Sequence, residues 1–369
     1  VTASARPLYI GSEIYRHSTY GLGHPLAIPR VSTCTDLCRA LGWLPDTQYR
    51  DSPIATLPQL ARFHDLAYLS ALQDAEATQT VSDAVRLRHA IGAQNNPLYR
   101  EVFTRPATSA GGVLLAAALT SNRGVVHCPG GGTHHGRADR AAGFCYLNDC
   151  VLGLLAWLDQ GLTRIAYLDL DAHHGDGVQD AFANDDRVLT ISLHEAQRWP
   201  HTGAAEDRAG GQARNLPLPR ACNDSEYAWL LNQAVWPLIA RFNPQALMLQ
   251  CGADALEEDP LAKLSLSNTA IWSAVAHAHQ TAERLIVLGG GGYNPYTVAR
   301  CWAGIWATLN HLPIPDRLPN LAEAILRRLR YSRAAGRNPP EHWFTTLRDV
   351  AREGPIRAEI HHLAAATLA

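Results

Sequence analysis

Residues 164–177 read RIAYLDLDAHHGDG. The run is apolar on both faces, as in a parallel strand covered by helices. It ends in Asp169 and Asp171, and His173, His174 and Asp176 follow at once. Three carboxylates and two imidazoles are costly to bury unless a charge or a metal compensates them. The stretch therefore predicts a buried strand whose carboxyl end carries chemistry.

Four further stretches read as strands of the same kind: GVVH (124–127), RVLTISL (187–193), QALMLQC (245–251) and RLIVLGG (284–290). Helical patterns lie between them. From Tyr227 to Phe242, apolar side chains recur at Leu230, Leu231, Ala234, Val235, Leu238 and Ile239, a helix period, with Pro237 expected to kink it. Further helices are predicted over about 107–120 and 268–284. The alternation implies an open, mostly parallel α/β sheet. Polar clusters follow four of the strands: His134 and His135 in CPGGGTHHG, the Asp171–Asp176 group, Asp254 in GADALEED, and Tyr293 in GGYNPY. In open α/β sheets the edge past the strand carboxyl ends forms the ligand crevice.

Composition narrows the partners. Of 369 residues, 47% are hydrophobic, enough for a sizeable core, and no repeat or low-complexity linker divides them, so a single domain over 1–369 is expected. Net charge is −2 and pI about 6.8, with no long basic run, so no nucleic-acid partner is expected. The Arg-rich stretch AILRRLRYSRAAGR (324–337) reads as a solvated helix face, and Lys263 is the sole lysine. Eight cysteines without CxxC pairs read as reduced thiols. No signal peptide opens the sequence and no apolar run is of membrane-spanning length, so a cytoplasmic protein with no membrane partner is the expectation.

The clusters have a chemical reading. Asp171, His173 and Asp254 would give two oxygens and one nitrogen, an open three-ligand set that suits zinc, although carboxylate-rich sites also suit iron or manganese. A histidine acting as general base needs a carboxylate to fix its tautomer, and Asp169 and Asp176 are available to His134 and His135. Tyr293 follows Gly289–Gly292, a run that permits close backbone approach but lacks the P-loop lysine and the GxGxxG spacing. Its phenol would donate to a developing oxyanion. Together these parts describe metal-assisted hydrolysis.

GGGTHHGRADRAAGFCYLND, YLDLDAHHGDGVQDAF, LQCGADALEEDP and LGGGGYNPYTVARCW resemble the signature segments of the zinc-dependent histone deacetylase family. That family includes acetoin utilisation proteins and acetylpolyamine amidohydrolases. GHPLAIPR (23–30) and FHDLAYLSAL (63–72) also fit its pattern. The resemblance spans about 10–315, leaving a C-terminal helical segment over about 316–369. It implies an arginase-like three-layer α/β sandwich around a mostly parallel sheet of about eight strands. Carried over by position, it makes Asp171, His173 and Asp254 the zinc ligands. His135 becomes the general base and His134 its electrostatic partner, with Asp176 and Asp169 as their respective carboxylates. Tyr293 becomes the transition-state tyrosine. It also implies a structural potassium ion held by Asp169, Ser192 and the backbone carbonyls of Asp171, His173 and Leu193. Phe144 and Trp199 would wall a substrate tunnel, and the Gly143 carbonyl would accept the substrate amide N–H. Leu261 stands where polyamine-selective members carry an acidic gatekeeper.

Two departures bear on substrate. The rim position, where the family often has an aspartate, falls in AQNNPLYR on Asn95 or Asn96. Thr133 replaces a bulky residue before the histidine pair, and with FTRPATSAGGVLLAA it is closer to a class IV-like branch; a deeper pocket for longer acyl groups follows. The expected function is zinc-dependent removal of acetyl or longer acyl groups from lysine side chains. An acetylpolyamine or other small-amide hydrolase is the alternative, and an acyl-lysine-binding pseudoenzyme a further one. A di-manganese ureohydrolase would need DxHxD patterns, which the segment after Asp171 lacks.

Overall fold

The computed structural model describes residues 6–93 and 95–368, so the ends of the expected 1–369 span lie outside the described residues. Its centre is one parallel sheet of eight strands among the described residues. They are β1 (Leu8–Gly11), β2 (Tyr49–Asp51), β3 (Gly124–Cys128), β4 (Ile165–Asp169), β5 (Val188–Glu195), β6 (Ala213–Leu218), β7 (Ala246–Gln250) and β8 (Arg284–Leu288). Their order is β2-β1-β3-β8-β7-β4-β5-β6. Successive strand residues point to opposite faces. Ala166, Leu168, Leu249 and Val287 accordingly enter the core on one side of the sheet. Tyr167, Met248 and Ile286 enter the core on the other. Helices cover both faces, giving the three layers expected from the sequence.

The five predicted strands are present to within a residue or two. Three were not anticipated. β1 and β2 are only four and three residues long. β6 carries Pro217 and lies at a sheet edge, where a missing N–H is tolerated.

Helix boundaries moved for physical reasons. The 107–120 helix runs Thr104–Leu119, and the 268–284 helix stops at Thr281, because Arg284 already begins β8. Around Pro237 the chain changes register rather than continuing as one α-helix. It forms Asp224–Leu230, a π turn over Leu231–Val235, then Trp236–Phe242. The wider turn accommodates a residue that has no N–H and crowds the preceding turn.

The Arg-rich stretch is helical only to Arg327, within Asn320–Arg327, apart from a short 3-10 turn at Ala334–Gly336. Leu329 and Tyr331 are both buried, and two-residue spacing onto one face suits extended chain, not helix. The expected C-terminal helical segment is thus three separate helices joined by irregular chain, Asn320–Arg327, His342–Thr345 and Ala358–Leu368. No described helix is long and apolar enough to cross a membrane.

Candidate active site

Four loops leave the carboxyl ends of β3, β4, β7 and β8 at one edge of the sheet. Each brings the polar cluster that the sequence placed there. Asp171, His173 and Asp254 are all buried, with donor atoms within 4.8 Å of one another. His173 Nδ1 lies 2.9 Å from Asp254 Oδ2 and 3.3 Å from Asp171 Oδ1. Burial and the charge of Asp171 push the Asp254 carboxyl up to about 6. Two buried carboxylates facing one imidazole nitrogen are an excess of negative charge that a divalent cation would balance. The donor set, two oxygens and one nitrogen, fits an open catalytic metal site.

Neighbouring groups aim these donors. Asp171 Oδ2 accepts from Gln250 Nε2 at 3.0 Å and from the Gly291 N–H at 2.7 Å. Asp254 Oδ1 accepts from the Ala172 N–H at 3.0 Å. A Cβ on Gly291 would fall 2.1 Å from Asp254 Oδ2. The glycine run therefore admits the backbone beside the carboxylates, and the likeness to a phosphate-cradling loop ends there.

The tandem histidines sit beside this cluster, their ring centroids 3.9 Å apart. His134 Nδ1 is 2.7 Å from Asp169 Oδ2, and His135 Nδ1 is 2.7 Å from Asp176 Oδ1. A carboxylate only accepts, so each Nδ1 carries the proton. Asp169 is itself fixed by the Tyr167 hydroxyl at 2.7 Å and the Asp171 N–H at 3.1 Å. Arg137 pairs with Asp176. The two rings are electrostatically unlike. Burial would lower His134, but the charges of Asp169 and Asp171 outweigh it and hold that imidazole up at about 9. Burial, and then the charge of His134, push His135 down to about 3. His135 is thus neutral, with Nε2 as an acceptor, beside a cationic His134.

Above the cluster opens a cavity of about 390 Å³ whose lining includes His135, His173, Phe144, Trp199, Leu261 and Tyr293. Phe144 stands edge-on to Tyr293 with centroids 5.8 Å apart. Trp199 stands edge-on to His135 at 4.6 Å and is 36% exposed, at the outer end. Gly143 also lines the cavity at φ +52°, and a Cβ there would meet the Trp199 ring at 2.4 Å. Thr133 accepts the Asp149 N–H at 3.2 Å and is partly exposed among buried neighbours.

The structure separates the two rim candidates. Asn95 is exposed and lines the cavity mouth. Asn96 is buried and accepts the Phe144 N–H, so it supports the wall instead. Ser192 is paired in register with Asp169 across β4 and β5, with Leu193 next along, and its Oγ lies 3.0 Å from His194 Nδ1. Two contributors were not singled out from sequence. Gln250 bridges to Asp171, and its signal was its place at the end of the QALMLQC strand. Arg30, half-buried in GHPLAIPR, donates to the Gly290 carbonyl at 2.6 Å; one arginine among many gave no signal.

Residues 24–309 match the family model described as histone deacetylase domain. Over 313 residues the chain is 36% identical to the putative histone deacetylase 2 of Caenorhabditis elegans, covering 82% of this chain but only 61% of that protein. It is 32% identical over 300 residues to histone deacetylase 8 of Xenopus tropicalis, covering 79% of this chain and 80% of that one. Among solved structures, an HDAC homolog from Aquifex aeolicus aligns at a TM-score of 0.93 and 33% identity, across 99% of this chain and 100% of that chain. An HDAC homolog complexed with SAHA gives the same values.

Proposed function

Because the chain belongs to the histone deacetylase family, we propose that it is a zinc-dependent amidohydrolase that removes acetyl or longer acyl groups from lysine side chains. The observation that carries this reading is the pair of carboxylate-held histidines beside a buried Asp-His-Asp cluster at the floor of a partly apolar cavity.

Asp171, His173 and Asp254 would hold the ion, which when bound supplies Lewis acidity to the amide carbonyl and the attacking water. His135 takes the water proton on Nε2, with its Nδ1–H held by Asp176. His134 stays protonated against Asp169 and stabilises the negative charge that develops beside it. The Tyr293 phenol donates to the oxyanion. Phe144 and Trp199 grip the acyl-bearing stem and exclude water, and the Gly143 carbonyl accepts the substrate amide N–H. The full set of these groups favours turnover over mere acyl-lysine binding.

Substrate class rests on the lining. Leu261 is apolar, and no Asp or Glu is among the described residues that line the cavity. A cationic polyamine would gain from a carboxylate there. An acylated lysine in a protein or peptide is therefore the preferred substrate, and a small acylated amine the second. Turnover of acyl groups longer than acetyl rests on sequence alone, since Thr133 bonds the Asp149 N–H and is not among the described residues that line the cavity. Asp169, Ser192 and the backbone carbonyls of Asp171, His173 and Leu193 are the candidate potassium ligands. The direct test is hydrolysis of an acetyl-lysine peptide by zinc-loaded protein, with His135→Ala as control. Product release that needs both zinc and His135 supports the reading. Release unaffected by His135→Ala would sink it.

A further inference from the structure

Asp259 lies five residues beyond Asp254, and the mechanism above gives it no role. It is 3% exposed, and no ion pair to it is found among the described residues. A carboxylate buried without a cation is costly unless hydrogen bonds satisfy it. Burial pushes its carboxyl well above the usual range, and the charge of Asp254 adds to that.

Its two oxygens are divided between two walls of the cavity. Oδ1 accepts the Leu261 N–H at 2.8 Å, and Oδ2 accepts the Tyr293 N–H at 2.7 Å. The first bond is local, the kind an aspartate makes to the amide two residues on. The second joins residues 34 apart in the chain. A further contact ties the same two loops, since Asn294 Nδ2 donates to the Glu258 carbonyl at 3.3 Å. Leu261 and Tyr293 both line the cavity.

We propose that Asp259 is a positioning residue that couples the cavity's lip, at Leu261, to its phenol, at Tyr293, so that acyl-length preference and turnover depend on one carboxylate. This rests on the roles given above to Tyr293 and Leu261. A shift of either loop reaches the other through a pair of short bonds to a single rigid side chain.

The test compares three variants of the zinc-loaded enzyme on acetyl- and hexanoyl-lysine peptides, with rates normalised to zinc content. Tyr293→Phe should lower kcat on both and leave their ratio unchanged. Leu261→Ala should change the ratio. Asp259→Asn keeps the shape but presents an N–H₂ to one of the two donors. It should do both: lower kcat by roughly tenfold or more, the effect of a displaced reacting group, and shift the ratio by about threefold, less than the roughly 10–200-fold of a full methylene difference. Unchanged kcat, or a lower kcat with an unchanged ratio, overturns the coupling. If Asp259→Asn fails to fold, amide hydrogen exchange of the wild-type protein decides. Slow exchange at both Leu261 and Tyr293 supports the strap, and fast exchange at either overturns it. Near-normal turnover by Tyr293→Phe would instead strike the functional reading itself.

Discussion

The Asn96 side chain accepts the backbone N–H of Phe144 at 2.9 Å, across 48 residues of chain. Phe144 sits at φ +69°, a left-handed conformation that a bulky residue adopts only when its surroundings hold it there. The Tyr20 hydroxyl completes the hold by donating to the Phe144 carbonyl at 3.2 Å. Asn96→Ala should therefore cost about 1–3 kcal/mol of stability, the penalty for an orphaned buried N–H, and lower kcat/KM as the wall loosens. Asn95→Ala, at the exposed mouth, should leave stability unchanged and act on KM alone. Thermal unfolding and peptide kinetics on both variants check this; equal effects would contradict the division between wall and rim.

Tyr293→Phe removes one hydroxyl from a buried site and should retain the fold and the zinc. If the phenol supplies one oxyanion donor, kcat falls on the order of a hundredfold. Near-normal turnover would remove Tyr293 from the mechanism.

The metal cluster makes two linked predictions. Asp171→Ala should purify without zinc, since one ligand and the acceptor for Gln250 and Gly291 are lost together. Gly291→Ala retains every ligand but drives a methyl into Asp254, and should weaken zinc binding by about 10–100-fold, as outer-shell changes do. Zinc titration followed by thermal unfolding reads both, because a ligand bound only to the folded state raises Tm. Full zinc occupancy in Asp171→Ala would show the ligand assignment to be wrong.

Acid stability should report His64. This buried imidazole accepts the Asn148 N–H on Nε2 at 3.0 Å, and burial pushes its pKa down to about 4. The folded state therefore binds its proton less readily than the unfolded chain, whose histidines titrate near 6.5. The contribution is fully present above pH 6.5 and is lost as pH falls towards 4. Between pH 7 and 5 the loss from this residue is about 2 kcal/mol. Urea midpoints at the two pH values check the slope, and His64→Gln should flatten it; an identical slope in that variant would contradict the assignment.

Much of the site was legible because strand ends broadcast their chemistry. IAYL and ALML are apolar throughout, so the polar residues after them stood out, and each came to the predicted edge. Sheet edges were not legible. Tyr49–Asp51 is too short for a period, and Pro217 argues against a strand until its edge position is known. Pairing partners were only partly legible. Asp176 could be matched to His135 through family resemblance, but nothing local distinguished buried Asn96 from exposed Asn95, or revealed that Asp259 reaches Tyr293. Those contacts depend on loop paths that residue patterns do not encode. The Arg-rich stretch misled because charge spacing resembled a helix face, while Leu329 and Tyr331 were committed to the core.

The most direct measurement is a side-by-side turnover assay of the zinc-loaded protein on acetyl-, hexanoyl- and myristoyl-lysine peptides, and on N-acetylputrescine and N8-acetylspermidine. The account predicts faster turnover of the peptides, with rates sustained beyond acetyl. Faster turnover of the polyamines would contradict the lysine reading and place selectivity outside Leu261. A strict acetyl preference would contradict the deeper pocket attributed to Thr133.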